Sequence, residues 1–167
     1  GAAVVGGGLG FVAPPDRDRF PPAAVRELGP AMAYLQAARG ACPVMGKVHT
    51  RFAFYGGYFP GADAPAVYLK RAKELLPNDA DVWFAAGREA FDRGDHPAAW
   101  ADWRHALDID LRHLKEIVGL AGRVLSADEV RERVVPATPS RVMAAADVLF
   151  PDRLRQAAGR RRFAEVA

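Results

Sequence analysis

Apolar residues recur every three to four positions along most of this chain, and prolines, glycines and aspartates interrupt them, a pattern that predicts a succession of short helices. Pro21 and Pro22 open a helix whose stripe runs through Val25, Leu28, Met32, Leu35 and Ala38, and Gly40 ends it. Val48, Phe52 and Tyr55 carry a second helix from Gly46 to Tyr55, which Gly56, Gly57, Phe59, Pro60 and Gly61 break. Asp63 is placed to cap a third helix ending at Leu76, and Pro77, Asn78 and Asp79 form the next turn. A fourth helix covers residues 80–93, and a fifth starts after Asp95 with Pro97 in its first turn, where no N–H is needed. Leu114, Ile117, Val118 and Ala121 mark a helix over 114–124, and Ser126 with Glu129 three residues later signals another helix start. Pro136 and Pro139 then interrupt, before a short helix over 142–150 that stops at Pro151.

The helical pattern repeats. Ala31, Leu35, Ala38 and Pro43 recur 34 residues later as Pro65, Leu69, Ala72 and Pro77, and again as Ala99, Trp103, Ala106 and Leu111. Small residues where two helices cross, with a proline after the second, predict a stacked helix-turn-helix array at that period. The expected class is all-α, a short α-solenoid closed by a C-terminal helical cap. Its units fall at about 24–45, 46–79 and 80–113, with the cap over 114–158 and a basic tail over 159–167. Residues 1–20 are expected to be an apolar, flexible N-terminal segment, leaving one helical domain over 21–158.

In the third unit Trp83, Ala86, Gly87, Phe91, Gly94, Ala99, Trp103, Ala106 and Leu107 resemble the tetratricopeptide repeat pattern, with Ala90 standing where that pattern expects an aromatic. The second unit is degenerate: His49, Gly56 and Pro60 stand where Trp, Tyr and the inter-helix Gly belong. The resemblance implies that the first helix of each unit lines a concave groove. Carried over by register, the groove positions are Lys47, Thr50, Phe54 and Tyr58 in one unit and Asp81, Phe84, Arg88 and Asp92 in the next. Phe54, Tyr58 and Phe84 offer apolar contact, while Lys47 and Arg88 can take a carboxylate, a combination suited to a peptide segment or an apolar helix. The competing reading is a shallow groove whose aromatics pack on the N-terminal helix.

Charge bears on the choice of partner only after a regional count. Residues 151–167 carry five Arg against Asp152 and Glu165, so the chain's net +3 lies there and residues 1–150 balance at 18 basic and 18 acidic. A nucleic-acid face needs clustered cations on the folded body, so the expected partner is a protein or peptide segment and neither nucleic acid nor a small-molecule substrate. The run Arg160, Arg161 and Arg162 is expected at a solvated, frayed helix end.

No catalytic, cofactor or metal constellation stands out. His49, His96, His105 and His113 form no His-Glu-x-x-His motif, and the single Cys42 permits no intrachain disulfide. Residues 1–13 contain Gly6, Gly7, Gly8 and Gly10 without the Gly-Lys-Ser/Thr ending of a phosphate loop. Trp83 and Trp103 are expected on the buried helix-helix face, with Trp100 nearer the neighbouring unit as a core residue or a partly exposed anchor.

A second resemblance rests on Cys42-Pro43-Val44-Met45-Gly46, Gly87-Arg88-Glu89-Ala90, Trp103-Arg104-His105-Ala106, Ile117-Val118 and Phe150-Pro151-Asp152. These are similar to the C-terminal repeat region of bacterial membrane proteins of the O-antigen ligase and polymerase type. The resemblance implies a membrane span upstream of Gly1, with residues 1–13 its trimmed end, and no glycosyl-transfer chemistry in this piece. A first residue of Gly rather than Met leads us to expect a fragment of a longer protein, and the resemblance implies that this protein is membrane-associated. The expected function is then a non-catalytic interaction or scaffolding module. The alternative is a structural or regulatory accessory domain packed on its parent membrane domain.

Overall fold

The structure, a computed structural model, describes residues 22–58, 61–151 and 157–165. The expectations placed on residues 1–13 lie outside them. Among the described residues all regular structure is helical: α1 Pro22–Ala41, α2 Gly46–Tyr55, α3 Pro65–Leu75, α4 Ala80–Asp92, α5 His96–Ile109, α6 Leu114–Ala121, α7 Ala127–Arg133, α8 Pro139–Leu149 and α9 Ala157–Glu165. The first residues of α2, α4 and α6 are Gly46, Ala80 and Leu114, each 34 positions after the last. The period therefore reaches one helix further than the side-chain landmarks do. The chain divides into two compact units at the Leu76–Pro77 bond.

In the first unit α2 and α3 pack along each other. Val48, Phe52 and Ala53 face Tyr68, Leu69 and Ala72 in the core, and the Phe52 and Tyr68 rings stack with centroids 5.2 Å apart. A Cβ on Gly46 would lie 2.5 Å from Leu76 Cγ, so only glycine lets the start of α2 come this close to the end of α3. Asp63 is not the cap of α3. Pro65 occupies the first turn, which moves the cap to Ala64, and the Asp63 amide instead donates to the Tyr68 hydroxyl at 3.2 Å.

The second unit is built around the α4–α5 pair. Asp79 caps α4 by accepting from the Asp81 amide, and Asp95 caps α5 by accepting from the Ala98 amide. Gly94, at φ +85°, makes the turn between them. A Cβ on Gly87 would meet Trp103 Cδ1 at 2.3 Å, so the indole lies flat on the backbone of α4 and its Nε1–H donates to the Phe84 carbonyl at 3.2 Å. Trp103 and Trp100 are both buried in this core, whereas Trp83 is half-buried. The expected order of the tryptophans is corrected: Trp83 Nε1–H reaches the Pro77 carbonyl at 2.7 Å, which holds its indole toward the turn.

Two arginines tie the later helices to α5. Arg104 donates to the carbonyls of Glu132 and Val135, where α7 runs out, and Arg141 of α8 donates to the carbonyls of Leu107 and Asp108 near the end of α5. Both satisfy carbonyls that a helix end leaves without an intrahelical donor. Pro139 does not interrupt α8 but opens it, three residues before the expected start. The stretch expected as a basic tail contributes α9, which packs on α7 and α8. Phe163 is buried edge-on to Phe150 at 6.0 Å, and Arg160 is ion-paired with Asp147.

Candidate interaction faces on α2 and α4

In the first unit Lys47 is exposed in the first turn of α2 and Phe54 is half-buried near its end, with the neighbouring Tyr55 ring 6.5 Å away. Thr50 does not face outward. It is buried, with Oγ1 donating to the Gly46 carbonyl at 3.3 Å, one turn back on its own helix. Tyr58 sits in a short 3-10 turn over Gly56–Tyr58, and its side chain lies outside the described residues. His49 is buried on the other flank, its Nε2–H donating to the Pro43 carbonyl at 3.0 Å. A carbonyl can only accept, which fixes the proton on that nitrogen.

In the second unit Asp81, Phe84, Arg88 and Asp92 do converge on one face, because positions three to four apart share a side of a helix. The end of the α5–α6 turn and the start of α6 cover that face. The His113 ring lies on the Phe84 ring, with centroids 4.1 Å apart and planes 5° from parallel, and its Nε2–H donates to Asp81 Oδ1 at 2.9 Å. Arg112 reaches Asp81 at 3.4 Å and Asp110 at 2.8 Å. The side-chain hydrogen bond from Arg112 holds the Asp110 carboxyl below its ordinary range. Arg88 is held by Asp92 at 3.1 Å and by Glu116 of α6 at 3.5 Å.

Arg88, expected from the sequence to take a carboxylate, here holds two that belong to the chain itself, Asp92 and Glu116. Glu116 and the Asp110-x-Arg112-His113 run are the residues that expectation missed. Their signal in the sequence is the polar run Asp110, Arg112, His113 just before the helix expected at 114. Among the described residues no three His, Cys, Asp or Glu side chains gather as a metal site. The imidazoles pair with aromatic rings instead: His105 on Trp83 at 4.0 Å and His96 on Trp100 at 5.5 Å, besides His113 on Phe84.

On this face the ion pairs between α4 and α6 are partly open to solvent, and Glu116 is the more exposed partner of Arg88. Among the described residues, no helix is long and apolar enough to cross a membrane. Comparisons with protein-family models, with curated proteins and with solved structures return no match.

Proposed function

We propose that the chain is a non-catalytic interaction module on tetratricopeptide-like repeats, holding a protein or peptide segment on the outer face of α4. The observation that carries this reading is the 34-residue register of helix starts at Gly46, Ala80 and Leu114. It is supported by paired columns in the cores, since Leu69 and Trp103, and Ala72 and Ala106, stand 34 apart and are all buried. A repeat that reproduces both its helix start and its core contacts is the kind of unit from which binding arrays are built.

Panning the full chain against a displayed peptide library tests this. Peptides that bind wild type are expected to lose more than about tenfold in affinity on the double change Phe84→Ala with Arg88→Glu, the loss from removing one aromatic anchor and one charge. The swap of Arg88→Glu with Glu116→Arg restores the internal ion pair and should leave binding impaired. Selected peptides that bind all three chains equally contradict the reading.

A second reading, an accessory domain packed on a parent membrane protein of the O-antigen ligase and polymerase type, is favoured by Val124 and Met143, large apolar side chains exposed in the second unit. It expects the isolated chain to self-associate. A clean monomer in light scattering counts against it.

A further inference from the structure

The balance of residues 1–150 conceals two opposite halves: residues 22–76 hold seven basic and three acidic side chains, a net +4, and residues 77–150 hold nine and thirteen, a net −4. The basic half has a run from Leu28 to Ala62 with no acidic residue. Within that run stand Tyr34 of α1, 78% exposed, and Val44 and Met45 of the α1–α2 turn, 63% and 45% exposed. The turn is closed by the Met45 amide donating to the Cys42 carbonyl at 3.1 Å, and the Cys42 amide donates in turn to Ala38 at 2.8 Å, so it is held by backbone bonds. Lys47 and Arg51 are exposed one turn apart on the same side of α2, and Arg39 is exposed in the last turn of α1. Thr50 and His49, polar side chains of the same run, are turned onto the carbonyls of Gly46 and Pro43.

We infer that the α1–α2 turn, with the adjoining cations of both helices, docks on an anionic lipid surface. Exposed apolar side chains at a closed turn, surrounded by cations over a stretch without carboxylates, match a headgroup layer that is negative above hydrocarbon. Val44 and Met45 enter the acyl boundary, Tyr34 places its ring at headgroup level, and Lys47, Arg51 and Arg39 meet the phosphates. The inference does not depend on the peptide reading, which concerns the outer face of α4.

Flotation of the full chain with vesicles tests it. The chain is expected to float with phosphatidylcholine–phosphatidylglycerol vesicles at low salt, to be released at high salt, and to stay behind with phosphatidylcholine alone. Lys47→Gln with Arg51→Gln should lower partitioning by on the order of 20- to 30-fold, about fivefold for each neutralised cation. Val44→Asp with Met45→Asp should abolish it with the helical circular dichroism unchanged, while Arg161→Gln leaves it intact. Equal flotation on neutral vesicles, or anionic binding that survives the Val44 and Met45 change, overturns the inference. So does a solution dimer that this change dissociates, because the occupant of the turn is then a second copy of the chain.

Discussion

Single side chains decide how closely the helices of each unit approach. Gly87 leaves room for the Trp103 indole with no margin, so Gly87→Ala must push the ring off α4 and break its bond to the Phe84 carbonyl. A loss of about 1–3 kcal/mol in urea unfolding, read as a lower midpoint at unchanged slope, is expected. Glu89 gives a prediction of opposite sense. Burial is the largest influence on its carboxyl and raises its pKa despite Arg93, so the folded state holds that proton more tightly than the unfolded chain. As pH falls from neutral through the folded pKa, wild type should gain stability relative to Glu89→Gln, and the difference should level off below the unfolded value. Glu129 runs the other way. Its bond from the Ser126 amide lowers its pKa, so its contribution is present above the ordinary carboxylate range and is lost as pH falls through the folded value. Stability titrations of Glu89→Gln and Glu129→Gln should therefore diverge from wild type with opposite sign.

Helix identities and most boundaries were legible in the sequence because the punctuation is chemically strong. Pro97 sits in the first turn expected of it, where a missing N–H is harmless, and Asp79, Asp95 and Ser126 are capping residues, whereas Pro65 and Pro139 open helices whose starts the pattern placed elsewhere. The failures lie where an element's role depends on a partner distant in sequence. Periodicity marks Arg160 and its neighbours as polar, but burial of Phe163 in α9 depends on where α7 and α8 lie. The candidate face was legible residue by residue on α4, but not its closure by His113 and Glu116, because α6 starts only after a turn whose path no local pattern sets. Phe163→Ala should consequently loosen one element: amide exchange across residues 157–165 is expected to rise sharply, while α4 and α5 stay protected. Equal deprotection of α4 would mean that α9 is integral to the repeat core.

At the scale of the whole chain, the two compact units carry different charges and different cores. The second unit contains its own buried cluster running from Ala90 through Trp103, Ile117 and Val130 to Phe163. A fragment of residues 77–167 is thus expected to fold alone with a cooperative melt. A fragment that shows helix without a cooperative transition would make the first unit a requirement for folding. The repeat register is the ground on which we propose that this chain binds a partner rather than transforms one, and that proposal is tested most directly by nuclear magnetic resonance. Amide shifts of the full chain, titrated with a peptide selected by panning, are expected to move along α4 and at His113 and Glu116, with α8 and α9 unchanged. Shifts confined to α8 and α9, with α4 still, would contradict the account.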